Sequence, residues 1–396
     1  MLYIAQLLVL GITYMGLGLG HIPGFRMNRP SLALIGSALL IALGVLDLHQ
    51  AWLAIDPNTI LFLLSIMVVN VHLTYAGFFR LAIAGLLRLT RSPFGVLVVL
   101  TVASGVLSAF FLNDTIALVF TPLTLTLVRS LNLKPIPYLL AIAGATNLGS
   151  VATLSGNPQN ILIGSFSKMG YLEFAQALAP LAIASLGVQI GLLWWLYPEV
   201  RSLQPVPSGP LMPLRIYRPL LLKTVVVTLG MLVAFGMGIP LAIAALVAAA
   251  LLLLTRRLKP NRILQSLDWN LLVLFSGLFI LTDCTQRLNL LQPLIGWVTN
   301  TASLLGVSVL LSNLVSNVPA VLLLSSLIPA DQSQAWLVLA AGSTLAGNLT
   351  LFGSIANLIV AEAAATLNYR LSFFEHLRFG LPLTTITLGM AYLWLR

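Results

Sequence analysis

Ala143 to Ile163 reads AGATNLGSVATLSGNPQNILI, and Ala341 to Val360 reads AGSTLAGNLTLFGSIANLIV. With one residue near Val151 skipped, Gly144, Thr146, Gly149, Thr153, Leu154, Gly156 and Asn160 fall on Gly342, Thr344, Gly347, Thr350, Leu351, Gly353 and Asn357. Each copy is an apolar segment that breaks over a Thr/Gly/Asn-rich turn and then resumes. Broken backbone inside a bilayer leaves N–H and C=O groups that protein, water or a ligand must satisfy. Two such interruptions in corresponding positions of two halves are the sequence mark of a transporter substrate site.

The rest of the chain agrees with that reading. Of its 396 residues 59% are hydrophobic and 8% charged, and apolar runs of about 17 to 25 residues, long enough to cross a roughly 30 Å hydrocarbon core, recur throughout. The expectation is an all-α polytopic membrane protein with no soluble domain, whose opening run, Leu2 to Gly20, is a retained helix because no basic region precedes it. Neither a GxxxxGK[ST] phosphate loop nor a GxSxG elbow occurs, so neither nucleotide hydrolysis by the chain itself nor serine-hydrolase chemistry is indicated. Cys284 is the single cysteine, and His21, His49, His72 and His376 are scattered without ligand spacing. A structural role is expected for all four histidines, and no cofactor beyond a bound sodium ion. An accessory ATPase is left open as a partner.

Four divisions follow from the pattern: N-terminal helices (1–50), a first repeat (51–200), a linker with connecting helices (201–266) and a second repeat (267–396). Helices are predicted near 2–20, 31–47 and 58–77, with a polar turn around Asp47, His49 and Asp56. Phe78 to Arg91 is too short and too basic to span and reads as an interfacial amphipathic helix. Gln204 to Arg215, with four prolines, is the linker. LDWNLLVLF from Leu267 echoes IDPNTILFL from Ile55. The stretches 93–129 and 302–329 read as hairpins with Asn113, Asp114 and Thr115, and Ser316, Asn317 and Val318, at their tips. With the tips at mid-membrane, 17 of the 20 basic residues lie on one side, the exceptions being Lys168, Arg287 and Arg396. The rich side should be cytoplasmic, placing both termini outside a plasma (inner) membrane and inverting one half relative to the other. The net charge of +10 is thus a topology signal, and no nucleic-acid partner is expected.

Asn113 and Asn317 occupy equivalent tips, while Asn160 and Asn357 close equivalent breaks. Asn caps helices and tolerates turns, yet its side chain also offers a carbonyl to a cation and an amide to a substrate. The candidate substrate- and ion-binding residues are Asn113, Asp114, Thr115, Gly149, Thr153, Gly156, Asn157, Asn160, Ser316, Asn317, Gly347, Thr350, Gly353, Ser354 and Asn357. Sodium is placed at Asn113, Gly149, Asn317 and Gly347, where neutral oxygens suit a hard cation. The glycines either let backbone approach a ligand or serve helix packing. Asp114 is the one acid at a tip, and a carboxylate at membrane depth is a functional residue by default, here a proton carrier or a sodium ligand. No Lys or Arg is expected at mid-membrane, so an anion would have to be held by half-helix N-termini and a co-bound cation.

NDTIALVFTP from Asn113, SGNPQNILIG from Ser155, SNVPAVLLL from Ser316 and GSTLAGNLTLFGSIANLIVAE from Gly342 resemble the ion transporter superfamily. That superfamily includes arsenite pump membrane subunits, citrate transporters, divalent-anion:sodium symporters, D-type sodium/proton antiporters and the melanosomal P protein; the motifs are nearest the arsenite-pump and P-protein branch. The resemblance implies two opposed re-entrant hairpins, two broken helices, a scaffold that often mediates homodimerisation, and a mobile transport domain, with the tip asparagines and both breaks lining the sites. The divalent-anion symporters carry Ser-Asn-Thr at both tips, whereas this chain has Asn-Asp-Thr and Ser-Asn-Val, so their dicarboxylate specificity is not implied. The expected function is secondary active transport of a small anion or oxyacid driven by protons or sodium. The alternatives are sodium/proton antiport without an anion, or a passive channel.

Overall fold

The computed structural model describes residues 1–20, 24–87, 92–204, 216–255 and 258–396, and within them the chain is all-helical. The proline-rich linker over 205–215 and the arginines at 88, 91, 256 and 257 lie outside the described residues. The first half runs α1 (Leu2–Leu19), α2 (Arg29–Ala42), α3 (Leu48–Ala54), α4 (Pro57–Ala76), α5 (Phe78–Leu87), α6 (Pro93–Phe110), α7 (Asn113–Ser130), α8 (Ile136–Ser150), α9 (Pro158–Ser167) and α10 (Tyr171–Leu196). The second runs α11 (Arg218–Gly236), α12 (Leu241–Leu253), α13 (Pro260–Gln265), α14 (Trp269–Arg287), α15 (Thr301–Val315), α16 (Asn317–Ser325), α17 (Ser333–Ala346), α18 (Ile355–Ala365) and α19 (Phe373–Leu395). By length and apolar composition α1, α4, α6, α10, α11 and α14 can each cross a bilayer.

Local chemistry sets the boundaries. The polar turn expected after residue 47 is instead a short helix, α3. Asp47 accepts from the Gln50 backbone N–H while Gln50 reaches back to the Asp47 N–H, a reciprocal cap that closes both orphan donors. The echoed acids do the same work in each half, Asp56 accepting from the Asn58 and Thr59 amides at the start of α4, and Asp268 from the Leu271 amide at the start of α14. Helix α2 begins two residues earlier than expected because Asn28 caps it, its side chain accepting from the Ser31 N–H.

Helix packing repeats between halves. Helix α2 lies on α14 as α12 lies on α4, α6 on α8 as α15 on α17, α7 on α18 as α16 on α9, and α10 on α8 as α19 on α17. Four of these eight pairings cross between halves, and through two of them, α7 on α18 and α16 on α9, each hairpin covers the other half's broken helix. Between the halves sit the broken helices themselves: every residue of α8 from Pro137 to Ser150 and of α17 from Trp336 to Ala346 is buried. The least helix-like stretches of the sequence form the centre of the molecule, where their exposed backbone groups meet protein.

Candidate functional site

Both hairpins turn at the residues expected. Helix α6 ends at Phe110 and α7 starts at Asn113, while α15 and α16 meet at Ser316, whose φ of 82° and ψ of 158° fall in a region nearly reserved for glycine. Both breaks also lie where expected, over 151–157 and 347–354. The two tips and the N-termini of α9 and α18 converge on one cavity of about 30 Å³, lined by Asn113, Asp114, Pro158, Gln159, Ser316, Asn317, Ser354 and Ile355 together with Leu17, Arg29 and the first turns of α14. That volume is room for roughly two waters.

Arg29 corrects the expectation that no basic side chain reaches the site. Its Nε donates to the Leu17 carbonyl at 3.1 Å, which anchors the guanidinium at the C-terminal end of α1 and turns it towards the cavity. The salt bridges among the described residues are Lys134–Glu199 and Arg287–Asp283, so Arg29 and Asp114 line the same cavity without pairing. Asn113 and Asn317 are 3% and 7% exposed, and the Oδ1 of each has no hydrogen-bond partner among the described residues. A buried carbonyl without a donor costs about 1–3 kcal/mol. The residues lining the cavity therefore include one cation, one carboxylate and two asparagines whose buried side-chain carbonyls are unsatisfied.

Behind the wall the breaks are tied by side-chain amides. Asn160 Nδ2 donates to the Ser150 and Thr153 carbonyls at 3.0 and 2.9 Å; Asn357 Nδ2 donates to the Gly347 and Thr350 carbonyls at 2.8 and 3.2 Å. In both halves the acceptors stand ten and seven residues back, so the repeat is one of mechanism as well as letters. Asn157 caps α9 through the Asn160 N–H at 2.8 Å and donates to Ser150 Oγ at 2.8 Å, and Ser354 caps α18 through the Ala356 N–H at 3.2 Å. Thr153 Oγ1 donates to the Ala109 carbonyl, and the Gly156 carbonyl accepts from the Asn113 N–H at 3.0 Å, joining the first break to the first tip. Gly347 lies beside the Asn317 amide, and Gly353 packs on the Gly347 carbonyl and Thr350 Oγ1. Gly149 serves packing: a Cβ there would stand 2.0 Å from the Gly105 carbonyl oxygen of α6. Thr115 is outside the cavity lining and accepts from Asn70 Nδ2 at 3.3 Å.

Sequence reasoning missed the residue at the centre. Asn147 accepts from Asn113 Nδ2 at 3.3 Å and from Ser354 Oγ at 2.9 Å, and it donates to Asn348 Oδ1 at 2.8 Å and Asn357 Oδ1 at 3.2 Å. It joins the first tip to the second break. A signal was present, since it is the one side-chain amide of its helix and follows a repeated Thr by one residue. Asn348, Thr344 and Gln159 were also passed over; Thr344 Oγ1 accepts from Asn157 and Gln159, each at 3.3 Å. Among the described residues no group of His, Cys, Asp and Glu could chelate a metal.

The architecture has counterparts among known proteins. The Citrate transporter family model matches residues 21–344. The silicon efflux transporter LSI3 of Oryza sativa subsp. japonica is 32% identical over 457 residues, covering 95% of this chain and 94% of its own. A 46 kDa membrane protein of Mycobacterium leprae is 30% identical with 98% of both chains covered, and the putative transporter arsB of Dictyostelium discoideum is 24% identical over 93% of this chain and 86% of its own. With hairpins, breaks and sequence in agreement over nearly its whole length, this chain is a multi-pass membrane transporter belonging to the citrate transporter family, within the ion transporter superfamily.

Proposed function

We propose that the chain is a secondary active transporter of a small oxyacid of the silicon or arsenic type, or of a similarly small anion, moved across the plasma membrane at the expense of a proton or sodium gradient. The observation that carries this is the single cavity shared by both tips and both half-helix N-termini, with Arg29 and Asp114 unpaired on its wall. Half-helix N-termini and a guanidinium favour an oxygen-rich substrate, and the unsatisfied Asn113 and Asn317 carbonyls favour one that also carries O–H donors or arrives with a cation. The small size of the cavity, about 30 Å³, favours a compact oxyacid over a tricarboxylate. Two relatives whose names refer to silicon efflux and to an arsB transporter point the same way.

In this reading Asp114 takes the coupling proton or ligates sodium beside the Asn113 and Asn317 oxygens, and the two halves exchange roles across the membrane. Basic loops face the cytoplasm, both termini face outward, and the protein functions in lipid as a homodimer. Sodium/proton antiport is the second reading, supported by the carboxylate and the two free carbonyls; Arg29 on the same wall weighs against it, since it repels the cargo. The test is uptake and efflux by the purified chain in sealed vesicles, across arsenite, silicic acid, sulfate, phosphate, dicarboxylates and sodium. Saturable, gradient-dependent movement of arsenite or silicic acid is expected. Flux that never saturates and ignores gradients would instead make the protein a channel.

A further inference from the structure

His376 was expected to be structural, yet it lies directly against the second break. It is fully buried on α19, and its Nε2 is 3.1 Å from the Asn348 carbonyl oxygen. That oxygen can only accept, so Nε2 carries the hydrogen. Nδ1 is then bare, and it has no partner among the described residues. The ring is thus placed as a neutral, one-sided donor. A close approach makes this contact possible: a Cβ on Gly380, one turn further along α19, would stand 2.2 Å from the same Asn348 carbonyl. Asn348 passes the constraint on, because its Oδ1 accepts from Asn147 Nδ2 at 2.8 Å, and Asn147 Oδ1 accepts from Asn113 Nδ2 at 3.3 Å and Ser354 Oγ at 2.9 Å. Both of those residues line the cavity.

The internal repeat shows that packing alone does not require a histidine here. GYLEFAQALAP, Gly170 to Pro180, matches SFFEHLRFGLP, Ser372 to Pro382, with Glu173 on Glu375 and Pro180 on Pro382. His376 falls on Phe174, which is equally buried. The first half fills the position with an apolar ring; the second uses one that can donate.

The geometry points to His376 as a positioning residue for substrate: its Nε2–H closes an orphan carbonyl of the second break and thereby fixes the amide chain from Asn348 through Asn147 to Asn113, which reaches the cavity wall at Asn113. The charged groups on the elements packed against α19 leave this donor role undisturbed. Helices α8, α15 and α17 carry no charged residue, with Tyr138 on α8 the titratable one; α10 carries Glu173 in its first turn and Tyr171; α19 itself carries Glu375, Arg378 and Tyr392. The ring's hydrogen bond among the described residues is the one to the Asn348 carbonyl; Asn357 Nδ2, itself a donor, lies 3.5 Å from Nε2 as a neighbour and not as a partner.

The inference rests on the transport reading above, and two arms separate the fates of the two. In the first, wild type, His376→Gln, His376→Phe and His376→Met are reconstituted and the uptake of arsenite and of silicic acid is followed against concentration and pH. Gln keeps a donor, Phe copies the first half, and Met keeps apolar bulk without a donor should Phe not insert. Losing one buried hydrogen bond and leaving its acceptor unsatisfied predicts a rise in apparent KM of about tenfold for Phe and Met, with thermal melting close to wild type. Gln should stay within a few-fold of wild type in KM and keep the wild-type pH profile. In the second arm, hydrogen–deuterium exchange over residues 347–357 should show protection lost in Phe and Met and kept in Gln, whether or not either probe is transported. Wild-type KM and protection in Phe and Met would overturn the inference, as would a Gln variant that loses the pH response, since titration and not donation would then be the function. Failure of wild type to move either probe would count against the transport reading while the exchange arm still decides the role of His376.

Discussion

Replacing Asn160 or Asn357 by Ala removes the side chain that donates twice across each break. Asn160 Nδ2 satisfies the carbonyls of Ser150 and Thr153 at 3.0 and 2.9 Å, and Asn357 Nδ2 those of Gly347 and Thr350 at 2.8 and 3.2 Å. Asn157 Nδ2 still reaches the Ser150 carbonyl at 3.3 Å, and the Gly156 and Gly353 N–H groups still reach the Thr153 and Thr350 carbonyls at 3.5 and 3.0 Å. Asn160→Ala therefore loses two hydrogen bonds without stranding an acceptor, while Asn357→Ala takes from the Gly347 carbonyl its side-chain donor, a cost of about 1–3 kcal/mol at either break. The flanking helices keep their own backbone bonds and their packing on α6, α7, α15 and α16, so the penalty falls on the geometry of the turn before it falls on the fold. If the middle of that range appears in the transport barrier, the rate drops at least tenfold, since about 1.4 kcal/mol is a factor of ten. The assay is initial uptake rate in reconstituted vesicles, normalised to inserted protein, with helicity and monodispersity measured on the same preparation. Asn160→Ala and Asn357→Ala should each lose about tenfold in rate while their insertion and helical content remain those of wild type. Two variants transporting at the wild-type rate would refute the reasoning, because the amide-to-carbonyl ties would then carry no function and the breaks would be structural.

Asp114→Asn should abolish the response of transport to an imposed pH gradient in sodium-free buffer, measured between pH 5.5 and 8.5; a wild type inert without sodium would make Asp114 a sodium ligand instead. Arg29→Gln should raise the apparent KM for an oxyacid by about 10- to 100-fold, the scale of one charged hydrogen bond, read from concentration-dependent uptake; an unchanged KM would remove Arg29 from the site. Gly149→Ala puts a methyl 2.0 Å from the Gly105 carbonyl oxygen, so α6 and α8 must separate, and melting in detergent should fall by the equivalent of about 1–3 kcal/mol. A Gly149→Ala protein as stable as wild type would show that α6 yields at little cost.

Hairpins and breaks were legible because a bilayer leaves few excuses for polar residues. Asn113, Asp114 and Ser316 stand out from apolar surroundings, and a Thr/Gly/Asn turn inside a spanning segment has to be satisfied by something. What escaped was whatever the repeat did not duplicate or the charge count had already assigned. Asn147 matches Leu345 in the register that aligns Thr146 with Thr344, so a comparison of identities passed over the amide that links tip to break. Arg29 was counted as a loop charge next to Pro30, and only the Asn28 cap and the Leu17 carbonyl reveal that it turns back into the cavity. The Asp47-to-Gln50 spacing is a readable capping signal that a polar turn concealed.

The residues that escaped share a property that bears on coupling. Where the first tip has Asp114 one residue past its asparagine, the second has Val318; where α2 is entered through Arg29 and Pro30, α12 is entered through Ile239 and Pro240; where α19 has His376, α10 has Phe174. In each pair one half presents a charged or hydrogen-bonding group at or beside the cavity and the other an apolar side chain of comparable bulk. The shared helices and packing keep the two orientations of the molecule close in energy, as alternation between them requires. A ligand shifts such an equilibrium only through differential affinity for its two states, and a perfectly symmetric pair of halves would give an ion equal affinity in both. Confining the charge to one half supplies the difference. On this argument the departures from the repeat make transport answer to a gradient, and the repeat itself makes transport possible.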